Sequence, residues 1–130
     1  MKTEKYVNEQ GEFRCFGFPN TLLGKQGTID ILNQLPDIEI HYLDKSWGAE
    51  VFCEFTYKGR KFDITEPYGD NSYYDISSET PNTKQLEEIY ELFNSTKLPI
   101  KAQRDRYIRL LVVLSVIAIG VLVYKLLNQS

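Results

Sequence analysis

The chain has 130 residues, with 15 Lys and Arg against 18 Asp and Glu, and two cysteines. The net charge of −3 hides a split: residues 1–96 hold 9 basic and 17 acidic side chains, a net −8, while residues 97–130 hold 6 and 1, a net +5. The acidic part argues against direct nucleic-acid binding, which needs Lys and Arg on phosphate, and two cysteines in no CxxC pattern argue against a disulfide scaffold or a zinc module.

Met1 to Gly11 is polar and reads as a loose arm, with no signal peptide expected in Met1 to Gln10. Glu12 to Phe18 carries Phe13, Cys15, Phe16 and Phe18 and predicts a first strand, which Pro19-Asn20 breaks. Thr21 to Leu35 gives a helical signal, with Ile29, Leu32 and Leu35 on one face and Pro36 as the stop. Gly24 and Gly27 weaken its first half, so the helix is expected to begin near Gly27.

Ile38 to Leu43 alternates, with Ile38, Ile40 and Tyr42 on one side and Glu39 and His41 on the other. Glu50 to Tyr57 is the clearest strand: Val51, Cys53, Phe55 and Tyr57 share a face, and Phe52, Glu54 and Thr56 take the other. Lys58-Gly59 predicts a tight hairpin turn. Arg60 to Thr65 returns with Phe62 and Ile64 inward and Lys61 and Asp63 outward. The breakers from Glu66 to Asn71 form a turn, and Ser72 to Ile76 a last short strand.

Thr80-Pro81 offers an N-cap with a first-turn proline, and Asn82 with Gln85 a second possible start. Leu86, Ile89, Tyr90 and Phe93 then follow at helical spacing, with Glu87, Glu88 and Glu91 outside. Asn94 to Thr96 ends this helix. The fold class is α+β: a mostly antiparallel four- to five-stranded sheet with two helices on one face, plus a single C-terminal transmembrane helix.

That last helix rests on Leu110 to Tyr124, fifteen residues without a charge, eleven of them Leu, Ile or Val. Ile108, Leu126 and Leu127 extend the apolar segment to twenty residues, interrupted by Arg109 and Lys125 near its ends, where long side chains snorkel. Twenty helical residues span about 30 Å, the thickness of a bilayer core. Tyr107 and Tyr124 sit where an aromatic belt belongs. The competing reading is the buried core helix of a soluble domain. The expected division is an acidic head (1–96), a basic stalk (97–109), an anchor (110–127) and a short tail (128–130). Lys97, Lys101, Arg104, Arg106 and Arg109, offset only by Asp105, precede the anchor, and Lys125 alone stands at its far end. The positive-inside rule therefore puts the head in the cytoplasm, at a bacterial inner membrane on this reading. The same five residues should meet anionic lipid at the membrane surface.

Chemistry is scarce. His41 is the single histidine, and with Cys15 or Cys53 and a carboxylate it could form a nucleophilic triad, but both cysteines fall in apolar strand pattern, where a thiol acts as a small buried hydrophobe. Asp70 to Asp75 resembles a calcium loop only at its start: its sixth position is Asp75 where the turn needs Gly, and its twelfth is Pro81 rather than Glu. Asn94-Ser95-Thr96 matches a glycosylation sequon that a cytoplasmic head would leave unused. No phosphate loop, dinucleotide motif or nucleophile elbow is present. No cofactor, metal or small-molecule substrate is expected.

A surface remains. Trp47, Tyr68, Tyr73 and Tyr74 lie in or beside the loops at the strand ends, mixed with Asp44, Glu66, Asp70 and Asp75. Aromatics beside carboxylates make a platform for a protein partner, a basic one by charge. The competing reading has these tyrosines capping the core with wet hydroxyls. The function expected is a membrane-anchored, non-enzymatic protein-binding module, in its sharpest form an immunity or inhibitor protein that neutralises a basic toxin. The alternatives are an enzyme with an unrecognised site and a small accessory subunit of a membrane complex, for which Ser115, Ala118 and Gly120 provide small residues but no small-xxx-small pair.

Overall fold

The computed structural model describes every residue except Trp47, 68–71, 99–100 and 130, and only the backbone of 101–106. Contacts divide the chain into two units, Met1–Leu98 and Pro99–Ser130.

In the first unit the chain runs β1 (Glu4–Val7), β2 (Phe13–Pro19), α1 (Gly24–Leu32), β3 (Ile38–Leu43), β4 (Val51–Tyr57), β5 (Arg60–Thr65), β6 (Tyr73–Ser78) and α2 (Lys84–Ser95). The strands form one sheet in the order β1-β2-β6-β5-β4-β3, every pair antiparallel. The sheet thus has six strands rather than four or five. The added one is β1, in the segment read as a loose arm. None of its four residues is buried, so it carries no apolar alternation for a sequence reading to find. It is held by its ladder to β2 and by Lys5, whose Nζ lies 4.7 Å from the Phe13 ring centre and 2.8 Å from Glu87 Oε1 on α2.

The β4–β5 hairpin turns on Lys58 and Gly59, both with positive φ (48° and 79°), the paired left-handed residues that a two-residue turn needs to match strand twist. Three register shifts re-aim side chains away from simple alternation. Arg14 has no partner on β1, so Phe13 and Phe16, three apart, both meet the Tyr90 ring, at 5.9 and 5.5 Å. A shift between Val51 and Cys53 brings Phe52, expected outward, into the core at 4.7 Å from Tyr74. A shift between Ile40 and Tyr42 puts Tyr42, expected inward, opposite Glu54 and 43% exposed.

Helix α2 lays Leu86, Ile89 and Phe93 on the sheet, with Phe93 4.7 Å from Phe18. Its N-cap is Thr83, whose hydroxyl accepts from Leu86 N at 3.2 Å, and neither Thr80 nor Asn82 takes that role. Asn82 is otherwise engaged: its side chain accepts from Phe13 N and its own N–H donates to Phe13 O, both at 2.8 Å, tying the helix start to β2. Helix α1 begins at Gly24, earlier than Gly27, because Gly27 is buried and so are Thr28, Ile29, Ile31 and Leu32. Packing there outweighs the low helix propensity of glycine. α1 and α2 touch each other and cover one face of the sheet, and Lys25 of α1 lies 5.0 Å from the Phe52 ring centre.

The second unit holds α3 (Lys101–Leu127). Its segment Tyr107–Leu127 has a mean hydropathy of 2.7, is wholly exposed, and is long and apolar enough to cross a membrane. Twenty-one residues at 1.5 Å give about 31 Å. The Ser115 hydroxyl donates to Leu111 O at 2.9 Å, so its proton is satisfied within the helix.

Candidate functional site

Because α1 and α2 lie on one face, no described helix of the first unit covers the other face of the sheet. Pleating sends every second side chain there. The register aligns Tyr6, Cys15, Ser77, Asp63, Glu54 and Tyr42 in one row across all six strands, with Gly17, Asp75 and Thr65 in the next.

Two parts of this face differ in character. Towards β1, the Tyr6 side chain arches over Gly17 to Asp75. A Cβ added at Gly17 would collide with the Tyr6 hydroxyl and lie 2.8 Å from Asp75 Oδ1. Glycine is therefore the residue that lets the ring lie flat on the strand. Burial first, and then the charge of Asp75, push the Tyr6 hydroxyl up to about 12. The Ser77 hydroxyl donates to Cys15 Sγ at 3.3 Å, and burial raises the Cys15 thiol to about 11.

Towards β3, a cavity of about 660 Å³ opens over β4, β5 and the end of β6, with Glu54, Thr56, Lys61, Asp63, Ser77 and Glu79 on its walls. Asp63 Oδ1 is shut off from solvent and has no hydrogen-bond partner. Burial, then the charges of Glu54 and Glu79, hold the Asp63 carboxyl above its ordinary 3.8. Asp63 and Glu54 take no part in the ion pairs found among the described residues, which join Lys5 to Glu87, Arg14 to Glu12 and Lys58 to Glu88.

Of the residues singled out in the sequence, Tyr73 and Asp75 stand on this open face, both half-buried. Tyr74 does not join them. It is 6% exposed and packs edge-on to Phe18 at 6.0 Å, a core residue on the helix-covered side. Glu66 is half-buried, its N–H bonded to Glu50 O at 2.7 Å, and its charge helps raise the Tyr74 hydroxyl after burial. Trp47, Tyr68 and Asp70 lie outside the described residues, as do the side chains of Lys101, Arg104 and Arg106. Lys97 and Arg109 are exposed. Glu54, Asp63, Ser77 and Glu79 come together only in the folded sheet; strand alternation marks Glu54 and Asp63 as outward but does not group them.

The histidine–cysteine pairing does not form. His41 Nε2 is 3.1 Å from Thr56 Oγ1, and β3 stands four inter-strand steps from β2 and Cys15, about 19 Å. Cys53 is fully buried opposite Ile64, with its thiol raised to about 12 by burial and by Glu54. Both cysteines are free thiols. Among the described residues no group of three or more His, Cys, Asp or Glu is arranged to hold a metal ion.

No family model matches the chain, and neither a curated protein nor a solved structure matches it.

Proposed function

We propose that this protein is a membrane-tethered, non-enzymatic binding module: an acidic α+β head held at a bilayer by α3, with a basic protein as its partner. The observation that carries the reading is the exposure of the whole apolar segment Tyr107–Leu127. An apolar cylinder of that length, charged only at Arg109 and Lys125 near its ends, is not tolerated in water, and lipid is the solvent that fits it. Lys97, Lys101, Arg104, Arg106 and Arg109 towards its N-terminal end, against Lys125 at the other, support a cytoplasmic head, and a bacterial inner membrane is the setting in which the reading is tested. A tether confines the head to a thin layer and raises its effective concentration for partners there. The net −8 of residues 1–96 supports a basic partner, and neutralisation of a basic toxin is the narrower form of the same reading.

The test is carbonate extraction of the full chain beside a copy truncated after Thr96, with protease added to intact cells and spheroplasts. The expected result is full length in the pellet, the truncation in the supernatant, and a head shielded from protease. Full length in the supernatant would make α3 a helix that packs on protein and would end the tether reading. A head cut in spheroplasts would reverse the orientation.

A further inference from the structure

We propose that the open face of the sheet docks a basic polypeptide segment, one of whose arginine side chains enters the cavity between Glu54, Asp63 and Glu79. This rests on the binding-module reading and supplies its surface and the chemistry of its partner.

An antiparallel sheet often leaves one face to water, so an open face alone is no docking site. A face built only for water would place unlike charges opposite one another, since like charges across a strand pair destabilise it. Here Glu54 and Asp63 are register partners on β4 and β5, with Glu79 beside them. Water does not serve this group fully either: Asp63 Oδ1 is cut off from solvent and accepts no hydrogen bond. A buried acceptor without a donor is costly, and a charged one more so. Lys61 and His41 stand on the same walls, yet among the described residues neither forms an ion pair with Glu54, Asp63 or Glu79, so the cluster is left without a paired cation there.

The shape selects the occupant. The cavity of about 660 Å³ is far larger than an ion needs and falls in the range of pockets that enclose a whole side chain or small molecule. A planar guanidinium presents paired donors that two carboxylates can accept together, which the point charge of lysine cannot match. The negative face extends beyond the cavity through Asp75, with the Tyr73 and Tyr6 rings beside it, so a chain leaving the cavity continues over acidic and aromatic surface. The two basic side chains on the cavity walls are Lys61, exposed at the rim opposite Thr56, and His41, whose Nε2 is engaged with the Thr56 hydroxyl.

The experiment uses the full chain in nanodiscs of zwitterionic lipid, so that basic probes have no anionic bilayer to bind. A capped Gly-Arg-Gly-Arg-Gly peptide is titrated against backbone amide NMR shifts. Controls are the same peptide with citrulline for arginine, and free arginine. The expected result is saturable shifts at Glu54, Asp63 and Ser77 with the arginine peptide, and weakening by about tenfold in Asp63→Asn and Glu54→Gln. Those variants should keep the fold and gain stability, which separates lost docking from lost structure. Equal binding of the citrulline peptide, shifts confined to α1 and α2, or unchanged affinity in both variants would overturn the proposal. Free arginine binding as tightly as the peptide would replace the polypeptide by a small cation. Each of these outcomes leaves the carbonate result untouched, so docking and tether fail separately.

Discussion

Glu54 and Asp63 face each other directly across β4 and β5, two carboxylates in register, neither of them in an ion pair among the described residues. Repulsion across a strand pair and a buried unpaired oxygen both cost stability, so removing one charge should give some back. Asp63→Asn is expected to raise the urea midpoint of the head by the equivalent of about 1 kcal/mol. Near-UV circular dichroism through the transition would read it, and an unchanged or lower midpoint would show that the cluster is already satisfied.

The same carboxyl gives the acid side of the stability curve a particular shape. Asp63 has its pKa raised above the ordinary 3.8, by burial first and then by Glu54 and Glu79. A raised pKa means the folded state holds the proton more tightly, so the associated stability is fully present below the unfolded value and is lost as pH rises through the folded one. The head should therefore become more stable as pH falls from neutral through the Asp63 pKa. Glu88 and Asp44 act oppositely. The Glu88 pKa is lowered by the Tyr57 hydrogen bond, and that of Asp44 by Ser46, and both contributions disappear as pH falls through those lowered values. A stability maximum on the acid side follows. Asp75, Cys15, His41 and Lys61 share the open face with Asp63, so the comparison to make is wild type against Asp63→Asn, in which the rise should shrink.

Thr83→Ala removes the hydroxyl that accepts from Leu86 N. The loss should be about 1 kcal/mol, as for other N-cap truncations. Thr83→Ser should restore most of it. Chemical denaturation of the three proteins would decide, and an equal loss in the serine variant would assign the effect to packing.

Ile117→Arg places a charge near the middle of Tyr107–Leu127. A central arginine opposes insertion by about 2.5 to 3.5 kcal/mol on insertion scales. Carbonate extraction should then move a substantial fraction of the chain into the supernatant. The same substitution at Leu127, at the interface, should leave it in the pellet.

Much of the fold could be read locally. The Lys58-Gly59 turn fixes Tyr57 opposite Arg60, and from there the hairpin count brings Glu54 opposite Asp63. That pair is therefore legible in the sequence, although alternation by itself marks both residues only as outward positions. The failures share one cause. Strand faces were assigned by strict alternation, and a single extra residue reverses it. The shifts around Arg14, Phe52 and His41 each did so, which misplaced Phe52 and Tyr42. Tyr74 was grouped with its loop neighbours when alternation within β6 already separated it from Tyr73 and Asp75. What no local pattern could supply is the position of β6 against β2, which brings Ser77 beside Cys15.

That position also governs how the chain acquires its shape. β2 emerges early, yet its inner neighbour is β6, and the bonded pair Cys15 and Ser77 lie 62 residues apart. Until β6 arrives, β2 can pair only with the short β1, and its inner edge is bare. The hairpin of β4 and β5 can form alone, but the sheet cannot close before nearly the entire head has been synthesised. Long-range strand pairing of this kind slows folding towards milliseconds to seconds and prolongs exposure of unpaired edges. By then the apolar α3 follows closely behind. The head and its greasy extension thus reach their risk of aggregation together, and a chaperone that shields α3 during that interval would protect the unfinished sheet as well.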